Sequence, residues 1–150
     1  MGKEIERKYL VINEEWEKFE KPNYSLIHQG YIMDQGGTTI RVRHTNEKGF
    51  LTIKGNQVRI SRDEFEYEIP QEEAKYLYEN FCSKKLVKRR YLITYFEKIW
   101  EVDEYLENLA GLVIAEIELS SEDEIVLESP GWVGDEVSND IRYSNASLAN

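Results

Sequence analysis

The first strand-like stretch of the chain alternates charged and apolar residues. Consecutive side chains of a β-strand point to opposite faces. Glu4, Glu6 and Lys8 therefore share one face of this stretch. Ile5, Arg7 and Tyr9 share the other face. Burying such a row of charges in a dry interior is unfavourable, so the charged face must meet water, a metal ion or a polyanion.

The same alternation returns in most of the later predicted strands. Their charged faces carry both signs and contain Arg41 and Arg43; Lys54; Arg62, Glu64 and Glu66; Lys88 and Arg90; Glu101 and Asp103; and Glu116 and Glu118. A sheet of such strands can close with its charged faces inward around a wet lumen, while helices cover its apolar faces. It can also close as an ordinary apolar barrel with a solvated outer surface. Periodicity alone does not choose between these two closures.

Six short motifs in a fixed order favour the first closure. They are Glu4/Glu6/Lys8, Arg41/Arg43, Leu51-Thr52-Ile53-Lys54-Gly55, Glu64/Glu66, Lys88/Arg90 and Glu116/Glu118. Each motif alone is weak, but the ordered set spans almost the whole chain. It resembles the CYTH superfamily, the triphosphate tunnel metalloenzymes, and in particular its small bacterial inorganic tripolyphosphatases. The resemblance implies an α+β fold, in which an eight-stranded antiparallel closed β-barrel forms a tunnel with a charged lumen and helices outside.

Composition limits the remaining possibilities. A chain of 150 residues is long enough for one domain with a real core, and we expect residues 1–150 to form a single domain. The single cysteine, Cys82, excludes an intrachain disulfide. No apolar run is long enough for a membrane helix and no signal peptide is visible, so we expect a cytoplasmic protein. A net charge of −10 disfavours nucleic-acid binding, although a small polyanion can still bind where basic residues converge.

Beyond eight strands, the sequence predicts a few helices. Pro70 opens a helix that reaches Phe81, on which Tyr76, Leu77 and Phe81 form a candidate buried stripe. A second short helix is predicted from Ser121 to about Leu127. After the Pro-Gly break, residues Arg142–Leu148 are expected to pack across one mouth of the barrel.

The resemblance also assigns roles to the charged rows. The basic residues expected to grip the phosphates of the substrate are Lys8, Arg41, Arg43, Lys54, Arg62, Lys88 and Arg90. The acidic residues expected to hold metal are Glu4, Glu6, Glu64, Glu66, Asp103, Glu116 and Glu118. Lys8, Glu4, Glu6, Glu116 and Glu118 are the candidate catalytic residues, with Lys8 positioning the attacking water.

Basic residues alone would make an anion-binding module, and the carboxylates are what suggest catalysis. Carboxylates repel a bare triphosphate, but they suit divalent cations that bridge protein and phosphate oxygens. Mg²⁺ or Mn²⁺ is the expected cofactor. Zinc is disfavoured because the sequence offers no histidine–cysteine cluster.

The family resemblance leaves the reaction open among several alternatives. We expect hydrolysis of a triphosphate, most simply inorganic tripolyphosphate to diphosphate and phosphate, with nucleoside triphosphates as further substrates. A class IV-type adenylate cyclase or a thiamine triphosphatase would use the same fold, and a non-catalytic polyphosphate-binding module is the alternative from another class. The sequence shows no clear base-recognition pocket, which favours the smallest substrate. A homodimer is an open expectation.

Overall fold

The computed structural model describes residues 2–150. Its strands are β1 (Lys3–Val11), β2 (Tyr24–Gln35), β3 (Thr38–His44), β4 (Gly49–Lys54), β5 (Ser61–Ile69), β6 (Lys84–Tyr95), β7 (Lys98–Tyr105), β8 (Val113–Glu118) and β9 (Val133–Glu136). Its α-helices are α1 (Asn13–Lys18), α2 (Gln71–Phe81) and α3 (Asn145–Leu148), and two 3₁₀ turns lie at Glu107–Leu109 and Ile141–Tyr143. No helix within the described range is both long and apolar enough to cross a bilayer.

Eight strands close into an antiparallel barrel in the order β1-β5-β4-β3-β2-β6-β7-β8, as the sequence predicted. The closure depends on β1, which pairs with β8 through Glu6–Leu10 and with β5 through Lys3–Ile5 on its opposite edge. Beyond Ile5, that second edge is taken by the ninth strand, β9, which pairs with Tyr9 and Val11. The predicted count of eight strands therefore describes the barrel but omits β9.

The register of the strands brings the charged rows to the inner face of the barrel. Directly opposed residues of neighbouring strands point to the same face. Glu6 lies opposite Glu118, and Lys8 lies opposite Glu116. Next to the opposite edge of β1, Lys54 of β4 lies opposite Glu64 of β5. The charged-inward closure is thus confirmed.

The outer face of β6, β7 and β8 carries the main apolar core. Trp16 of α1 is 2% exposed and packs edge-on against Trp132 and Tyr91, with ring centroids 5.1 and 5.4 Å apart. It covers a layer that includes Trp100 and Ile117. Burying a large apolar side chain contributes roughly 1.5–3 kcal/mol, so this layer fixes the outer side of the barrel wall.

Helix α2 covers β3 and β4, but with a different face from the predicted one. Tyr76 and Phe81 are 60% and 57% exposed, so the predicted stripe is wrong. The inward face is Ala74 and Tyr78, with Leu77 partly buried beside them. The helix approaches β4 so closely at this point that a Cβ added to Gly49 would lie 2.4 Å from the Ala74 Cβ. Only small residues therefore fit at these two positions.

One further predicted element differs from the structure. The predicted helix from Ser121 to Leu127 is a turn followed by irregular backbone, in which the Glu124 carboxylate accepts from the backbone N–H of Ser120 at 2.7 Å. That local bond competes with helix formation. Strand β5 begins at Ser61 because Arg59, two residues earlier, takes a positive φ of 58°, which breaks the extended conformation.

The C-terminal tail fills one end of the barrel. Tyr143, Ala146, Leu148 and Ala149 pack against the apolar residues Tyr31, Leu86, Tyr105 and Ile114. Leu86, Tyr105 and Ile114 lie two residues from Lys88, Asp103 and Glu116 on their strands, so they share the inward face with the charged rows and the contact lies across the lumen. The predicted placement of residues 142–148 is confirmed, although the Arg142 side chain itself points outward and pairs with Asp140.

Candidate functional site

A cavity of about 550 Å³ runs through the charged lumen and reaches the C-terminal tail. The predicted site residues on its wall are Glu4, Glu6, Lys8, Arg41, Arg43, Lys54, Arg62, Glu64, Glu66, Arg90, Glu116 and Glu118. Lys88 and Asp103 are the predicted residues that do not line it. The register of strands that are distant in sequence thus brings both signs of charge into one enclosed space.

Lys88 and Asp103 lie behind the cavity wall as a buried ion pair. Both side chains are 0% exposed, and the Lys88 Nζ is 2.9 Å from Asp103. Asp103 also accepts two hydrogen bonds from Arg90, at 2.8 and 2.9 Å. Burial lowers the pKa of Lys88, to about 7, against the pull of Asp103. In this structure the pair acts on the cavity through Arg90, which it holds in place.

Glu6 and Glu116 form the central acidic pair of the lumen. Burial, together with the charges of Glu116 and Glu4, raises the pKa of Glu6 well above its usual range. Burial alone would also raise the pKa of Glu116, but Lys8, a hydrogen bond donated by Glu6, and Arg90 hold it well below its usual range. The pKa values of the two carboxyl groups are thus shifted in opposite directions, as expected for close neighbours that disfavour a second negative charge.

Glu4 and Glu64 form a second acidic pair with a lysine between them. The Lys54 Nζ lies 3.1 Å from both carboxylate oxygens of Glu4 and 3.3 Å from Glu64. Burial opposes ionisation of Glu4, but the Lys54 charge together with hydrogen bonds from Lys54 and Glu64 outweighs burial and lowers the Glu4 pKa. For Glu64, burial and the Glu4 charge prevail and raise the pKa. The Lys54 ammonium therefore lies at a position from which a cation can contact both carboxyl groups.

The donor set fits a divalent cation that is shared with a ligand. Within residues 2–150, no three carboxylate, imidazole or thiolate groups converge tightly enough to hold a metal by themselves. Mg²⁺ and Mn²⁺ do not need such a cage, because they often take one or two carboxylates and complete their shell with water and phosphate oxygens. The pairs Glu6/Glu116 and Glu4/Glu64 each offer two carboxyl groups on the cavity wall.

Two arginines form the basic side of the lumen. Arg41 is 3% exposed and donates to Thr52 at 3.2 Å and to Glu66 at 3.3 Å. Its Nε is buried with no acceptor in the described chain, which suits an oxygen of an anionic ligand. Arg43 donates to Gln29 at 2.9 Å. Burial and the neighbouring Arg41 and Arg90 lower the Arg43 pKa to about 10, which still leaves it charged at neutral pH.

The remaining predicted basic residues lie at the borders of the cavity. The Lys8 Nζ donates to the backbone oxygen of Tyr143 in the tail, at 3.2 Å. Arg62 lies at the β1–β5 junction, opposite Glu4, and donates to Gln57 at 3.2 Å. Both side chains therefore line the cavity while they bind the segments that close it.

Sequence reasoning missed two kinds of lining residue. Glu101 lines the cavity and binds Arg90 at 3.2 Å. The sequence placed Glu101 on the charged face of β7 with Asp103 but assigned it no role, and that shared face was the signal that could have identified it. Ser144 and Asn145 also line the cavity, but they belong to the tail. No periodicity marks them, since a single turn of helix has no pattern to detect.

Comparison with known proteins gives one consistent family. The CYTH domain matches residues 2–149. A protein of Acetivibrio thermocellus named inorganic triphosphatase is 45% identical over 149 residues, which cover 99% of this chain and 94% of that protein. A protein of Nitrosomonas europaea with the same name is 31% identical over 150 residues, covering 97% of this chain and 96% of that one.

Solved structures agree with the sequence comparisons. The crystal structure of the inorganic triphosphatase NE1496 superposes with a TM-score of 0.67 at 29% identity, over 97% of each chain. A putative adenylate cyclase from Bacillus halodurans superposes with a TM-score of 0.64 at 22% identity, over 81% of this chain and 84% of that one. The second likeness shows the fold alone.

Proposed function

This chain belongs to the CYTH domain family, and we propose that it hydrolyses inorganic tripolyphosphate to diphosphate and phosphate with a divalent cation. The observation that carries the proposal is the joint presence of arginines and paired carboxyl groups on one cavity wall. A module that only bound polyphosphate would need the arginines alone. Two relatives named inorganic triphosphatase align over nearly the whole chain, which supports the same substrate.

In this proposal the basic residues bind the phosphate chain. Arg41, Arg43 and Arg90 are held by neutral or acidic neighbours, so their guanidinium groups are oriented before the substrate arrives. Guanidinium suits phosphate because it donates two parallel hydrogen bonds. Lys54 and Arg62 supply further positive charge at the junction of β1, β4 and β5.

The carboxyl pairs are proposed to hold Mg²⁺ or Mn²⁺, with Glu66 and Glu118 as further ligands on the wall. A bound cation neutralises phosphate charge and can acidify a water molecule. The Lys54 ammonium must then leave Glu4 and Glu64, and its flexible stem allows it to reach a phosphate oxygen instead. Lys88 and Asp103 are assigned a different part, since they position Arg90 from behind the wall.

Lys8 is proposed to orient the attacking water. It lies opposite Glu116 across the β1–β8 ladder and has its Nζ at the cavity wall. The ammonium donates hydrogen bonds and has no lone pair to accept a proton. Its part is therefore to hold the water oxygen in line with the scissile phosphorus–oxygen bond, while the Glu6/Glu116 pair offers a carboxylate for the released proton.

Product analysis tests this proposal against the cyclase alternative. Hydrolysis needs only phosphate contacts and a water molecule, whereas cyclisation also needs the ribose and base held in position. We expect the protein with Mg²⁺ to convert tripolyphosphate to diphosphate and orthophosphate faster than it converts ATP. Phosphorus NMR resolves these products. Cyclic AMP and diphosphate as the main products of ATP would refute the hydrolase and leave the fold assignment intact.

A further inference from the structure

Helix α3 brings an uncharged side chain, Asn145, into contact with two buried groups behind the cavity wall. Its Oδ1 lies 2.6 Å from the Tyr105 hydroxyl and 3.4 Å from the Lys88 Nζ. Tyr105 is 2% exposed and Lys88 is fully buried. Asn145 itself is only partly buried, and it lines the cavity. The amide oxygen of Asn145 thus contacts the buried Tyr105 and Lys88, while the residue also lines the cavity.

The hydrogen-bonding chemistry of Tyr105 and Lys88 determines the orientation of the Asn145 side-chain amide. The Lys88 Nζ is paired with the Asp103 carboxylate at 2.9 Å and donates to Asn145, so the atom of Asn145 that faces Lys88 is the oxygen. The Tyr105 hydroxyl donates to that same oxygen. The amide nitrogen Nδ2 is therefore turned away from both groups, and it has no acceptor within residues 2–150. Two N–H donors of a fixed amide remain for the cavity.

We propose that Asn145 is a substrate-binding residue whose Nδ2 donates a hydrogen bond to a phosphate oxygen at the tail end of the cavity. The inference rests on the proposed function, because it takes the ligand to be a linear triphosphate. The donor is neutral, so it adds a contact without adding charge to the crowded basic side. Because the amide is already oriented, binding costs little side-chain entropy.

Asn145 also couples the tail to the arginine that contacts substrate. Its oxygen binds Lys88, Lys88 binds Asp103, and Asp103 binds Arg90. The C-terminal helix therefore contributes a ligand directly and supports a second one through this chain of contacts. The site is incomplete without α3, which explains why a single helical turn is packed so closely against the barrel wall.

Two variants of Asn145 separate the binding role from a structural one. Asn145→Ala removes the donor. Loss of a hydrogen bond to a charged phosphate should raise the KM for tripolyphosphate roughly tenfold to hundredfold, with a smaller change in kcat. Asn145→Asp keeps an oxygen for Tyr105 and Lys88 but presents a carboxylate to the phosphate. We expect its ligand-free melting temperature to be unchanged or higher and its KM to exceed that of Asn145→Ala.

A control variant is needed outside the binding machinery, which rules out Asn139 of the tail. That residue lines the cavity, so the control is taken outside it, at Asn80, which is exposed on α2 and donates to the Tyr76 backbone oxygen at 3.0 Å. We expect Asn80→Ala to leave KM and kcat unchanged. Wild-type KM in Asn145→Asp, or equal effects of Asn145→Ala and Asn80→Ala, would overturn the inference. If Asn145→Ala fails to fold, Asn145→Asp alone decides the question.

Calorimetric titration with tripolyphosphate distinguishes this inference from the proposed function. A wild-type protein that binds tripolyphosphate without hydrolysing it, and that loses binding in Asn145→Asp, would refute the hydrolase and support the inference. A wild-type protein that hydrolyses tripolyphosphate, together with Asn145 variants that bind it normally, would refute the inference and support the hydrolase.

Discussion

The buried Asp103 gives the sharpest prediction about how this lumen is stabilised. Its carboxylate accepts hydrogen bonds from Arg90 at 2.8 and 2.9 Å and lies 2.9 Å from the Lys88 Nζ, with no exposed surface. Asp103→Asn removes the charge that these two buried cations share. Removing one partner of a buried ion pair costs about 3–5 kcal/mol. For a chain of this length that corresponds to a fall in melting temperature of roughly 6–20 °C.

Denaturation with urea and by heat, in protein freed of divalent metal, measures this effect. Asp63→Asn is the matched control, because the Lys3–Asp63 pair at 3.1 Å is more than half exposed on both sides. We expect that control to change the free energy of unfolding by less than about 0.5 kcal/mol. A metal-ligand role for Asp103 would give the opposite result. Neutralising a ligand in a repulsive acidic cluster would stabilise the metal-free protein, so a higher melting temperature for Asp103→Asn would refute the account.

Three further predictions follow from the acidic row, the histidine pair and the tail. Glu118→Gln should abolish turnover while the fold becomes no less stable, because burial and the nearby charges of Glu101 and Glu4 already raise the Glu118 pKa; near-normal turnover at saturating Mg²⁺ would contradict its role. His28 and His44 stack with ring centroids 4.7 Å apart, and burial lowers the pKa of each imidazole below 6.5. The stability that the two neutral imidazoles contribute is therefore present above pH 6.5 and is lost as the pH falls through their pKa values in the folded protein. His44→Phe should therefore lose less stability than wild type between pH about 7.5 and about 5.5 in urea melts, and equal losses would disprove the idea. A chain ending at Asn139 lacks α3 and should show a raised KM for tripolyphosphate or a wider choice of substrates, whereas an unchanged profile in a stable truncation would rule out this role of the tail.

The barrel was predictable because strand alternation is a local property. A period of two fixes which residues share a face, whatever the strand pairs with, and this placed Arg41, Glu64 and Glu116 together correctly. Alternation could not say which face turns inward, and that choice came from the ordered family motifs. It also could not say how deep a residue lies. Lys88 shares a face with Arg90 but is covered, since its depth depends on Asn145, which lies 57 residues further along the chain.

Other features could not be predicted from the sequence because contacts between distant segments determine them. Strand β9 reads Val-Gly-Asp-Glu, which has no alternating pattern, and it forms because β1 offers an unpaired edge beyond Ile5. The buried face of α2 was predicted from its aromatic residues. The close approach of Gly49 to Ala74 turns a different face inward, and this leaves Tyr76 exposed.

The cytoplasmic location and the homodimer remain predictions, as do the metal and the individual roles of the site residues. The central claim is that the charged lumen binds a triphosphate through cations shared with its carboxyl pairs. Calorimetric titration of tripolyphosphate into wild-type protein, with and without Mg²⁺, tests it most directly. We expect saturable binding of one triphosphate per chain that is much tighter with Mg²⁺ and is lost when Arg41 is replaced by Ala. Binding that is equally tight without a divalent cation, or that survives Arg41→Ala unchanged, would contradict the account.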